Sequence, residues 1–165
     1  AGEPTMELLV ELLVLLLLAN GMPVLGARLL GPRGAWPLDG GRVLADGRRL
    51  LGETKTVRGV VLAVAAVTPA AVLFGHAWWV GALFALASLA GDAASSFVKR
   101  RLGIESSGRA SGLDQIPEAL APLLACYRLL DLTPLLVAAA VVLFTVGQMA
   151  ISPLMFRLGI RHRPY

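Results

Sequence analysis

Residue types that handle metal and phosphate stand together in one short run. Gly91-Asp92-Ala93-Ala94-Ser95-Ser96-Phe97-Val98-Lys99-Arg100-Arg101 begins where the chain is still strongly apolar and ends in three consecutive basic residues. On a helix, positions i, i+4 and i+7 share a face, so Asp92, Ser96 and Lys99 line up. The oxygens of Asp92 and Ser96 suit a hard cation such as magnesium. Lys99 and Arg100 reach toward the water with groups that bind phosphate. An ionised Asp at the centre of a bilayer costs about 2.5–3.5 kcal/mol on insertion scales, so Asp92 needs a partner or a wet cavity. A structural ion pair is the plainer account of Asp92, and the negative end of the helix dipole is the plainer account of the basic cluster.

A second carboxylate follows at Asp114, with Glu118 four residues on. Asp114 alone reads as a helix N-cap and Glu118 as a complement to the helix dipole. Paired with Asp92, Asp114 reads equally well as the second ligand of a metal site for phosphoryl or nucleotidyl transfer. A third component lies upstream, in Asp46-Gly47-Arg48-Arg49-Leu50-Leu51-Gly52-Glu53-Thr54-Lys55-Thr56-Val57-Arg58-Gly59. Glycines there let backbone amides approach phosphate, and Lys55, Thr56 and Arg58 stand at a helix start, where amides and dipole favour anions. No Walker A pattern is present. Asp39 and Asp46, each followed by Gly, can both be turn residues; Asp39 reads first as one, and Asp46 stays open. Ser106-Ser107-Gly108-Arg109-Ala110-Ser111-Gly112 is small and hydrogen-bonding, as a phosphate flap would be. Glu7, Glu11 and Asn20 read as interfacial and helix-packing residues. His76 and His162 have no ligand spacing, and the single cysteine, Cys126, offers neither a disulfide nor a thiolate metal site.

The elements that must hold these residues are membrane helices. Of 165 residues 56% are hydrophobic and 16% charged, against about 25% charged in soluble domains. A spanning helix needs roughly 20 apolar residues, within about 17–25. Five candidates appear: Thr5 to Leu30, bent near Pro23; Gly59 to Gly75; Ala77 to Val98; Ile116 to Leu130; and Pro134 to Leu158. The fourth is short, carries Pro117 and Pro122, and reads as a tilted or a broken span. The first run opens on acids rather than the basic residues of a signal peptide, so it reads as a permanent helix. The chain is therefore expected to be an all-α integral membrane protein of about five transmembrane helices, one membrane domain over residues 1–165.

Loop charge sets the expected orientation. Thirteen of the fifteen Lys and Arg lie in the segment between helices one and two, in that between three and four, or at the C-terminus. Cytoplasmic loops carry such an excess. The expectation is an N-terminus outside, a C-terminus inside, and two long cytoplasmic loops at about 31–58 and 99–115. The net charge of +4 thus reflects topology and anionic headgroups, not nucleic acid.

With these residues in view, Gly91-Asp92…Ser96-x-x-Lys99-Arg100 followed by Asp114 resembles the signature of the integral-membrane phosphatidate cytidylyltransferases (CDP-diglyceride synthases). The loop Asp46-Gly47-Arg48-Arg49…Gly52-x-x-Lys55-Thr56-x-Arg58-Gly59, with Leu113-Asp114-Gln115, is more similar to the archaeal branch, the CDP-archaeol synthases. The resemblance runs from Pro37 to about Glu118. Glu105 and Ser106 stand where the bacterial signature has Lys-Asp, and Asp114-Gln115-Ile116-Pro117-Glu118 where it has Asp-Arg-x-Asp. The resemblance implies a magnesium-dependent transfer of CMP from CTP to an isoprenoid ether-lipid phosphate at the cytoplasmic face of the cell membrane. In that reaction Asp92 and Asp114 hold the metal and Lys99 joins them in catalysis. Lys55, Thr56, Arg58, Ser96 and Arg100 bind the substrates. Oligomeric state stays open.

Two rivals have their own signatures. CDP-alcohol phosphotransferases need Asp-x-x-Asp-Gly-x-x-Ala-Arg, and Asp39 and Asp46 fall at the wrong spacing. A small membrane ion or lipid transporter with Asp92 as its binding carboxylate explains the buried acid but leaves Lys55 and the Lys99-Arg100 cluster unaccounted for.

Overall fold

The computed structural model describes residues 3–104 and 115–157, with side chains from 5 to 151 within that range. Five helices follow one another: α1 Glu3–Leu30, α2 Val57–Leu73, α3 Trp78–Arg101, α4 Gln115–Ala125 and α5 Pro134–Arg157. α3 packs against α1, α2 and α4, while α5 rests on α1 and α4. The core is aliphatic: Leu12, Leu15 and Leu16 of α1 meet Val67 and Ala71 of α2, Phe84 and Ala85 of α3, Leu123 of α4 and Phe144 of α5.

The opposite faces are apolar too. Val10, Leu17 and Leu25 of α1, Val61 and Val72 of α2, Leu86 of α3 and Val142 and Val146 of α5 are all exposed. Leucine and valine on both sides of a helix suit a hydrocarbon solvent rather than water. Among the described residues three helices are long and apolar enough to cross a membrane: α1 over Thr5–Leu30, α3, and α5 over Pro134–Ile151. Pro23 lies inside α1 without ending it.

The five expected helices are present among the described residues, and two of them are shorter than the rest. α2 has 17 residues and rises about 25 Å at 1.5 Å per residue, the lower limit for a span. α4 has only 11, about 16 Å, and cannot cross alone. The apolar run carries on to Leu130, but helix does not: residues 126–131 form turns, and Asp131 takes a positive φ of 47°. Pro117 and Pro122 belong to α4, with Pro122 fully buried.

α4 meets α3 unusually closely. A Cβ built on Gly91 would stand 2.1 Å from the carbonyl oxygen of Pro117 and 3.1 Å from Cβ of Ala121. Beside this contact Ser88 Oγ donates to the Glu118 carbonyl at 2.8 Å, and Asn20 Nδ2 of α1 donates to Ser88 Oγ at 3.2 Å. Three helices are thereby joined at one depth. The first turn of α4 thus stands 10 to 13 residues before the end of α3, or about 15–20 Å along its axis.

Residues 31–56 form the connection between α1 and α2, which we call loop 1. It is ordered without being a sheet. Isolated antiparallel bridges pair Pro37 with Thr56 and Val43 with Arg49, and a turn at Ala45-Asp46-Gly47 closes the second.

Candidate functional site

Loop 1 and α3 meet through a charge pair. Lys55 Nζ lies 2.5 Å from Asp92 Oδ2, and both side chains are about one-fifth exposed (21% and 19%). Each element places its residue for a local reason. Leu38 N donates to Lys55 O at 2.8 Å and Val57 N to Trp36 O at 3.0 Å. Thr56 caps α2, its Oγ1 accepting from Gly59 N at 3.2 Å. Lys55 is therefore held in extended backbone immediately before a capped helix. Asp92 follows Gly91, whose missing side chain lets α4 close against that side of α3.

The rest of loop 1 is fastened by two polar knots. In the first, the Asp39 carboxylate is fully buried and accepts four bonds: from Arg49 Nη2 (2.6 Å) and from the backbone amides of Gly41 (2.9 Å), Leu51 (3.1 Å) and Gly52 (3.4 Å). Burial works to raise its pKa, but the Arg49 bond and the backbone amides outweigh it and hold the group at about 2. The Gly41 bond is the local turn that the sequence suggested; the other three were not legible, because their donors lie 10 to 13 positions away.

The second knot is reciprocal. Arg48 Nη1 donates to the carbonyls of Arg100 (3.2 Å) and Arg101 (2.7 Å), satisfying the open C-terminal end of α3. Arg101 answers with 2.9–3.0 Å contacts to Asp46 and a 2.7 Å bond to Arg49 O, and its guanidinium stacks over Phe97. This knot alters the expectation for Lys99 and Arg100, which do not reach into water. Both are buried, at 7% and 8% exposure, and both have partners. Loop 1 is bonded to the end of α3 through Arg48 and Arg101, and a helical periodicity argument gives no sign of such a contact.

The remaining candidates fall into distinct places. Ser96 is buried on α3, and its neighbour Ser95 donates to the Asp92 carbonyl at 2.9 Å. Arg58 turns to the start of loop 1, where Nη1 donates to Gly31 O (2.9 Å) and Arg33 O (2.5 Å). Glu118 is buried in α4 and has a partner. Asp114 and the Ser106–Gly112 segment lie outside the described residues. At the far end of the bundle His76 Nε2 stands 3.1 Å from Glu11 Oε2, a contact over 65 positions that neither residue's local sequence signals.

Among the described residues no group of three or more His, Cys, Asp or Glu stands close enough to hold a metal. Magnesium asks for less: it is commonly held by one or two carboxylates together with substrate phosphates and water. Asp92, part-buried and paired with Lys55, meets that smaller requirement. Lys55 now neutralises one of its oxygens, so a bound cation must share or displace the ammonium.

The chain also has relatives. A family model described as CarS-like: CDP-archaeol synthase matches residues 5–78 and 71–165. The CDP-archaeol synthase of Aeropyrum pernix is 36% identical over 167 residues, covering 95% of this chain and 92% of the relative. That of Pyrobaculum calidifontis is 39% identical over 158 residues, covering 89% and 90%. A solved structure described as an intramembrane enzyme for archaeal membrane lipids biosynthesis superposes with a TM-score of 0.65 at 36% identity, over 83% of this chain and 90% of the other. Sequence along nearly its whole length and the helical fold agree, and the chain belongs to the CDP-archaeol synthase family.

Proposed function

We propose that this protein is a membrane cytidylyltransferase that makes CDP-archaeol from CTP and an isoprenoid ether-lipid phosphate, releasing pyrophosphate. Family membership supports the reaction. The observation in the structure that carries it is the Lys55–Asp92 contact, which joins a basic, glycine-containing loop to an acidic position in an apolar helix. The transporter reading leaves that loop without a task, and no relative favours it.

The reaction sets a specific demand. A lipid phosphate oxygen attacks the α-phosphorus of CTP, the new P–O bond forms, and the bond to the β-phosphate oxygen breaks with pyrophosphate carrying away the electron pair. The nucleophile is already an anion, so no general base is required. The barrier lies in bringing two polyanions together and in stabilising charge on the leaving group. Lys55 can exchange its Asp92 partner for a triphosphate oxygen as CTP arrives. Lys99 and Arg100, both buried near the end of α3, keep positive charge in a site from which water is partly excluded, where it acts more strongly than in bulk solvent. Thr56 and Arg58 fix the loop beside them. Asp92 and, from its place just before Gln115, Asp114 would hold magnesium, which supplies charge neutralisation at the phosphates. The prenyl chains would lie in the bilayer with the phosphate at the cytoplasmic surface.

Product formation from labelled CTP tests this, with ether-linked and ester-linked lipid phosphates offered in parallel to protein in vesicles. Labelled CDP-lipid from the ether substrate, with matching pyrophosphate release, is expected. Nucleotide turnover without a labelled lipid product would remove the assignment.

A further inference from the structure

Loop 1 has an outward side that the site does not use. Trp36 is 73% exposed, and Leu38, Val43 and Leu44 are exposed near it in sequence. Trp36 and Leu38 are two apart in extended backbone and so share a side. Arg33 and Arg42 flank them and are also exposed. The patch continues from the end of α1, where Leu29 is 71% exposed and Leu30 also open.

All three tryptophans of the chain obey one rule. Trp78 and Trp79 begin α3 and are exposed, and Trp36 lies just beyond the C-terminal end of α1. A soluble protein seldom leaves every tryptophan uncovered. In a membrane protein, tryptophans collect at the two interfaces, where an apolar ring with a polar edge fits the headgroup level. Trp78 and Trp79 would mark one interface and Trp36 the other.

We propose that loop 1 is seated in the interface of the bilayer, with Trp36, Leu38, Val43 and Leu44 among the headgroups and upper chains, and Arg33 and Arg42 on anionic lipid phosphates. Apolar residues flanked by basic ones match an anionic lipid surface and not free solvent. This seating also sets the depth of the site. Trp36 and Leu38 are tied by backbone bonds to Val57 and Lys55, so lowering Trp36 into the interface lowers Lys55 with it. The site then meets a lipid phosphate at headgroup level, without lifting the lipid into water. The inference requires only that the bundle sits in a bilayer and does not depend on CMP transfer.

Tryptophan fluorescence tests it in the full chain. With Trp78→Phe and Trp79→Phe, Trp36 reports alone from the opposite end of the bundle. The protein is placed in vesicles of phosphatidylcholine and phosphatidylglycerol, plain or brominated near the carboxyl end of the acyl chain. Quenching of about twofold or more by the brominated lipid, with little effect of aqueous iodide, is the result expected of an interfacial ring. Quenching by iodide alone means a loop projecting into water, and quenching by neither means a ring covered by protein, including a second copy of the chain. Either overturns the proposal. If the double variant does not insert, a nitroxide on Val43→Cys in the otherwise unchanged chain gives the same depth reading, because Cys126 is buried and escapes labelling.

Discussion

Asp92 sits in a helix whose other outward residues are mostly apolar, and Lys55 supplies the countercharge that makes it tolerable there. That pairing admits two interpretations with different kinetics. If Lys55 only neutralises Asp92, Lys55→Ala disturbs both substrates alike. If Lys55 hands over to the triphosphate, the loss falls on CTP. A charge-assisted hydrogen bond contributes about 1.5–3 kcal/mol, so kcat/KM for CTP should drop about ten- to a hundredfold while that for lipid phosphate changes little. Varying CTP at saturating lipid, then the reverse, separates the two. Asp92→Asn should abolish turnover yet leave an inserted, folded chain. Asn keeps the volume of Asp, and its amide oxygen can still accept from Lys55. Near-normal turnover with unchanged magnesium dependence would sink the metal role of Asp92.

At the scale of elements, the sequence showed the run from Asp92 to Arg101 as a helix face, and it showed loop 1 as basic and glycine-containing. It could not show that the two close on each other. The Arg48–Arg101 knot spans more than 50 positions, and its donors and acceptors are common residues without a motif. Of the two readings open for the fourth helix, tilted or broken, the structure has the shorter one, because hydropathy reports apolar residues and not whether they stay helical. Loop 1 has its own pH limit, set by Asp39. Its folded pKa is near 2 against an ordinary 3.8. The group is depressed, so its contribution is fully present above about pH 3.8 and is lost as pH falls through about 2. Amide exchange within residues 39–52 should accelerate across that window and not above it. Asp39→Ala should bring the same loosening at neutral pH, with a stability loss of about 1–3 kcal/mol for the donors left unsatisfied. Unchanged exchange in that variant would show the loop to be held elsewhere. Gly91 gives a third measure at this scale. Gly91→Ala drives a Cβ into the Pro117 carbonyl, and crowding of that kind costs about 1–3 kcal/mol. Its thermal midpoint should fall, and activity should fall further than stability, because α4 must shift beside Asp92.

For the whole molecule, the shortness of α4 bears on how the chain crosses the bilayer. If α1 enters from outside, it ends at loop 1 on the cytoplasmic side; α2 returns, and α3 brings Asp92 and the basic cluster back. The chain must then travel from Arg101 to Pro134 at the opposite surface. α4 covers only about 16 Å of that path, starting where its first turn meets Ser88 and Gly91. An α4 running from that level toward Pro134 completes the return and keeps the crossing number odd, as the distribution of Lys and Arg demands. Single cysteines at Ala45 in the turn of loop 1 and at Ala77 just before α3, both exposed, test the arrangement with a membrane-impermeant thiol reagent. In intact cells the Ala77→Cys chain should be labelled and the Ala45→Cys chain should not, with the pattern reversed in inside-out vesicles. Labelling of Ala45→Cys from outside would invert the topology and remove the site from the side where CTP is found. Labelling of both positions from one face would mean that α2 does not cross at all.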